Sequence, residues 1–217
     1  MSRLVAFRRG QQGEPSPIKN NNMKKITPER ITDFNRSDAE LQSFLIFAVA
    51  VAGKNADSVA PKVNRMLADW NTDPFTFLRT YRRDIDTIMR EWKMGPYDQR
   101  MIPAMNGIID LDLRTCTIAD LEAIKGIGPK TSRFFMLHSR PDQEMVVLDV
   151  HLLRYCRQKF RMKVPKSTPS GKRYLAIEAE AVRRIRKKFP DMSFADFDLN
   201  AWLLMRSKGE KRKAKKK

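Results

Sequence analysis

Lys130 and Asp149 are the two residues of this chain whose types and setting could do chemistry together. Lys130 closes the run Lys125-Gly126-Ile127-Gly128-Pro129-Lys130, and Asp149 follows the apolar Met145-Val146-Val147-Leu148 nineteen residues later. A neutral amine attacks an electrophilic carbon and can hold it as a covalent imine. A carboxylate beside that carbon stabilises the positive charge that builds when a glycosidic bond breaks. The two glycines around Ile127 let the backbone turn tightly and come close to another molecule. Pro129 suits the first turn of a helix, and a helix start favours a phosphate. Taken singly, each part has an ordinary explanation: Asp149 as a helix N-cap, Lys130 as a solvated lysine, the glycines as the turn of an αα-hairpin. Their joint spacing points to chemistry on a phosphate-bearing polymer.

The elements that must position these residues read as helices. Ser37-Asp38-Ala39-Glu40 is a capping box before an apolar helix that runs to about Val51. A second helix is expected over Ser58–Trp70, with Pro61 in its first turn. Asp73-Pro74 starts a short helix. Asp84–Trp92 and Pro96–Ile109 follow, split by Gly95-Pro96, and Thr117 caps the helix that leads into Gly126. Beyond the hairpin, helices are expected at Lys130–His138, Val150–Arg161, Lys172–Phe189 and Phe194–Arg206. No alternating pattern of useful length suggests a strand, so the fold class is all-α, in two lobes. Ile127 should plug into the core and hold the hairpin. Residues 1–24 read as a flexible leader, 25–207 as the helical body, and 208–217 as a disordered basic tail.

Net charge is +18 over 217 residues, with a pI near 10.2. Such a balance implies a polyanionic partner, nucleic acid or an anionic surface. From Arg206 onward eight basic residues face only Glu210, yet most of the excess charge lies outside this stretch, so the body is basic by itself. Two cysteines, Cys116 and Cys156, cannot supply a four-thiolate cluster and imply no disulfide framework. A reducing, intracellular setting is expected, cytoplasmic or nucleoid-associated, and nuclear in a eukaryote. The longest apolar run, Phe44–Ala52, is too short to span a bilayer.

The segment Leu121–Lys159 resembles the helix-hairpin-helix glycosylases of base-excision repair, the superfamily of endonuclease III and the 8-oxoguanine glycosylases. Gly126, Gly128 and Lys130 match its Gly-x-Gly-x-Lys hairpin, and Asp149-Val150-His151 matches its downstream Asp before a His-containing helix start. Phe197-Asp198-Leu199-Asn200-Ala201-Trp202 is similar, more weakly, to the C-terminal helix of the archaeal 8-oxoguanine branch. The resemblance implies a two-lobed glycosylase fold that acts on double-stranded DNA as a monomer, with Lys130 as the Schiff-base nucleophile and Asp149 as the essential carboxylate. It implies DNA contacts from Lys125, Gly126, Ile127, Gly128, Thr131 and Arg133. Partial burial and the neighbouring cations Lys125 and Arg133 should lower the Lys130 pKa. Many endonuclease III relatives carry an iron–sulfur cluster; with two cysteines none is expected here, and the hairpin leaves a place for a monovalent cation. His151 reads as a packing residue.

Where the family commonly places a gap-filling Gln, this chain has Ala52-Gly53-Lys54-Asn55-Ala56. Lys54 or Asn55 could fill that gap, or Gly53-Lys54 could form a second anion-binding loop. The second option keeps open a phage-type enzyme that modifies a thymine substituent on the same fold. A third option is a binding module without catalysis. Trp92, Phe134, Phe135 and Trp202 could stack on a flipped base, although each also fits a core position on an amphipathic helix.

Overall fold

A computed structural model of the chain describes residues 23–70, 72–94 and 100–214. Ten α-helices are described: α1 Asp38–Ala50, α2 Ala56–Ala68, α3 Pro74–Thr80, α4 Ile85–Glu91, α5 Met101–Ile108, α6 Ile118–Ala123, α7 Pro129–Ser139, α8 Val150–Lys159, α9 Gly171–Lys188 and α10 Phe194–Ala214. Short 3₁₀ turns precede α1 (Pro28–Arg30) and α4 (Arg82–Asp84). Among the described residues there is no strand, and the fold is all-α. No helix among them is long and apolar enough to cross a membrane.

Local chemistry sets most boundaries. Ser37 accepts from the Glu40 amide while Glu40 reaches back to the Ser37 amide, the reciprocal box that starts α1. Thr117 and Asp120 repeat the arrangement at α6. Asp73 accepts from the Thr76 amide at 3.1 Å and Pro74 opens α3. α2 starts two residues earlier than the sequence suggests. Asn55 caps it by accepting from the Asp57 amide at 2.8 Å, which leaves Pro61 inside the helix beyond the first turn. At the other end of the chain α10 continues to Ala214, past the expected end at Arg206. Residues 1–22, the Gly95-Pro96 break and residues 215–217 lie outside the described residues. Met23 and Lys24, read as leader, instead join the body: Met23 packs on the core, and the Lys24 ammonium pairs with Asp33 at 2.9 Å.

Two hydrophobic clusters form. The first gathers α1 to α5 around Phe44, Phe47, Trp70, Phe75 and Met89. α1 is apolar on every side from Phe44 to Val51, as expected of a helix enclosed by others. The second gathers α8, α9 and α10 around Leu153, Cys156, Tyr174, Ile185 and Phe197. α7 belongs to both: Phe135 and Met136 enter the first, Leu137 enters the second, and Phe134 touches each. The helix that begins at the hairpin is therefore the seam between the two cores.

Candidate active site around Lys130 and Asp149

The hairpin is built from the seam outward. Gly126 has φ +103°, and a side-chain carbon there would lie 2.0 Å from the Arg100 carbonyl oxygen. Backbone sterics and the close approach of α5 both demand glycine at that position. Ile127 is 5% exposed and enters the first core, as the sequence suggested. Gly128 is different. Its φ of −114° suits any residue, and a side-chain carbon there would meet nothing within 4 Å. Among the described residues nothing requires glycine at 128, and the space in front of it is open. It is the N-cap of α7 and offers no side-chain cap; Pro129 has no N–H and the Thr131 and Ser132 amides donate to the Gly128 carbonyl at 2.9 and 3.1 Å, which leaves the Lys130 amide without a helix partner.

Lys130 stands one residue into α7, half-buried, with its Nζ 5.1 Å from the centre of the Phe134 ring. Burial holds its amine below the ordinary lysine range, against the opposing pull of Asp149 and Asp198. Among the described residues it forms no ion pair with either carboxylate.

Asp149 is positioned from behind. Val146–Leu148 runs straight through the second core, and Tyr174 of α9 clamps it. The Tyr174 hydroxyl donates to the Val146 carbonyl and accepts from the Leu148 amide, both at 3.1 Å. Asp149 then caps α8, accepting from the amides of His151 (2.8 Å) and Leu152 (2.7 Å). Burial and then the neighbouring Asp198 push its carboxyl above the usual range, while Lys130 and the Leu152 amide pull it down.

Asp198 is the residue that sequence reasoning missed. It lies on the buried face of α10 with Phe194, Phe197, Ala201 and Met205, and is itself 9% exposed. Its Oδ2 is 3.3 Å from Nε2 of His138, an imidazole that is 1% exposed on α7. The signal was present in the sequence as an acidic residue on the apolar stripe of a helix, where a carboxylate needs a partner. Lys130, Phe134 and His138 follow at spacings of four on one face of α7, with the Phe134 and His138 rings 5.2 Å apart.

Other expected contacts fall elsewhere. Arg133 does not face DNA: it is 6% exposed, pairs with Glu178 at 2.9 Å and with Glu122, and covers the Tyr174 ring. It ties α7 to α6 and α9 and so fixes Lys130 relative to the Asp149 segment. The charge it was expected to lend to Lys130 is spent on these two glutamates. Thr131 is buried as well, whereas Lys125 is exposed. The Lys54 ammonium turns inward to the Met94 carbonyl, and Asn55 is occupied as the α2 cap.

His151 faces the Trp202 ring at 6.2 Å, and its buried Nδ1 lacks a hydrogen-bond partner among the described residues. Burial lowers its pKa. Phe135 is fully buried in the first core, while Phe134, Trp92 and Trp202 are half-buried. No group of three or more metal-ligating side chains occurs among the described residues. Neither a protein-family model nor a curated protein matches the chain.

Proposed function

We propose that this protein is a DNA glycosylase with lyase activity, built on a two-lobed helix-hairpin-helix glycosylase-like fold. One observation carries the reading: a desolvated Lys130 sits directly behind the open Gly128 turn and within electrostatic reach of the capped Asp149. Burial disfavours the charge of a lysine at that position, which favours the neutral amine that the chemistry needs.

In this mechanism the hairpin amides and Lys125 grip phosphate, and the target base leaves the stack so that its sugar carbon can be reached. The neutral Lys130 amine attacks C1′. The C1′–N bond breaks, its electron pair departs with the base, and the base takes up a proton. The Asp149 carboxylate opposes the positive charge on the sugar as the bond breaks. Opening of the sugar ring yields the imine. Loss of a C2′ proton with departure of the 3′ phosphate then cuts the strand.

Lys130→Gln should abolish borohydride trapping on a substrate duplex, and Asp149→Asn should slow base release about 100-fold or more. Trapping that persists in the Lys130 variant would defeat the lyase assignment. The substrate is found with duplexes carrying oxidised, alkylated, deaminated or hydroxymethylated bases, scored separately for base release and nicking. An altered nucleoside still joined to its sugar would instead mark a base-modifying enzyme.

A further inference from the structure

The charge of this chain is unevenly placed. Between residues 150 and 189 thirteen Lys or Arg stand against two acidic residues, Glu178 and Glu180, an excess of eleven out of the chain's +18. Both glutamates are already engaged. Arg133 holds Glu178 at 2.9 Å, while Arg183 and Arg184 hold Glu180 at 2.8 Å and 2.5 Å. The surplus therefore finds no counter-charge within its own stretch.

Phe160, the cap at the end of α8, gathers that surplus at one end of the second core. Its carbonyl accepts from the Arg184 guanidinium of α9, and its ring centre lies 5.9 Å from the Lys188 ammonium. Lys159 and Arg161 flank it in the chain. Arg157, one turn back, donates to the Pro165 carbonyl and so holds the loop that carries Lys163 and Lys166 against the same end. Arg161 turns the chain with φ +53°, a conformation that favours glycine, and puts a cation at the turn. Lys159, Arg161, Lys163, Lys166, Lys187 and Lys188 are all exposed, and none forms an ion pair among the described residues. Asp191, just beyond α9, pairs with none of them. This end is remote from the Lys130–Asp149 site, because Asp149 caps the start of α8 and its 10 residues of helix rise about 15 Å.

The geometry points to a second nucleic-acid surface at this end, one that grips the phosphate backbone of a duplex segment other than the one at the hairpin. Local chemistry selects a duplex. A single strand is held by bases stacked on open aromatic rings. Here Phe160 is 8% exposed, and Lys188 covers Phe189 as well, 5.5 Å from its ring centre. A lipid surface takes up exposed apolar side chains. Among the described residues the large ones, Phe34, Val150, Leu175, Leu203 and Leu204, all lie outside 159–166 and 184–188. What remains is a set of lysines and arginines on packed elements, which suits rows of phosphates. The surface does not rest on the glycosylase reading, since a binder without catalysis would carry it too.

The test uses the full chain and two short unmodified duplexes, one carrying a fluorescence donor and the other an acceptor. With protein limiting, energy transfer between the duplexes is expected, together with a sedimenting species of one protein and two duplexes. A variant combining Lys159→Gln, Lys163→Gln, Lys166→Gln and Lys187→Gln should lose both signals. The second binding step should also become less salt-dependent, its log–log slope falling by about 0.9 for each lysine that met a phosphate. Arg161→Gly keeps the left-handed turn without strain, so it should weaken energy transfer in a chain that folds normally.

Undiminished energy transfer in the fourfold variant would overturn the proposal and assign the second duplex to another surface, the terminal basic run included. Loss of the first duplex in step with the second would overturn it too, because the cations would then belong to the hairpin's own duplex. A single-stranded oligonucleotide, or phosphatidylserine vesicles, bound more tightly than duplex and released by the same four substitutions would overturn the choice of partner.

Discussion

Lys130 costs the fold stability, and the sign of that cost with pH can be worked out. Its folded-state pKa lies below the ordinary value of about 10.4, so the unfolded chain binds the proton more tightly. The penalty is fully present below the folded-state pKa and fades as pH rises toward the unfolded value. Lys130→Met should therefore raise the melting temperature at neutral pH, and the difference should shrink in alkaline buffer. Thermal denaturation at several pH values checks this; a variant less stable than the native chain at neutral pH would show that the amine is structurally favoured.

Lys130 and Asp149 were legible in the sequence because a turn motif and a fixed spacing flag them. Asp198 and His138 were not, because each gains its meaning only from a partner sixty residues away in the chain. Arg133 reads as a surface cation next to a phosphate-binding turn. Its burial depends on Glu122 and Glu178, which arrive from two other helices.

At the level of elements, the two hairpin glycines separate folding from recognition. Gly126→Ala must adopt a left-handed backbone and push into the Arg100 carbonyl, so a destabilisation of about 3 kcal/mol or more is expected. Gly128→Ala meets neither obstacle and should leave the denaturant midpoint nearly unchanged. If a phosphate sits against that turn, the added methyl group should weaken duplex binding all the same. Equal loss of stability in both variants would remove the case for an open ligand-facing turn.

Arg133 makes the complementary case within α7. Arg133→Met leaves Glu178 and Glu122 without their cation and should cost about 3 kcal/mol, read as a fall in denaturant midpoint. Helix starts with a side-chain cap were readable to within a residue or two at α1, α3, α6 and α8. α2 was misplaced because Pro61 was taken as a first-turn signal, while Asn55, the true cap, stood in a loop read for its chemistry.

Across the whole molecule, α7 joins two hydrophobic clusters, and the residues that could do chemistry sit on that seam and on the elements of the second cluster. Lys130 and His138 ride on α7, Asp149 is delivered by the second core through Tyr174, and Asp198 by α10. α10 is in turn fastened to the first part of the chain through Arg206, which pairs with Glu29 at 2.6 Å and Asp57 at 3.0 Å. Seven more basic residues follow Arg206 in the sequence.

If that charge meets a duplex, each phosphate it neutralises adds about −0.9 to the slope of log affinity against log salt. Removing residues 208–217 should reduce the magnitude of that slope by about two or more, with affinity falling most at low salt. Trapping through Lys130 at saturating protein should stay as it was, because Asp149, Asp198 and the hairpin are untouched. A slope identical to that of the full chain would show that the terminal charge makes no contact with DNA, and that the basic body alone holds the duplex.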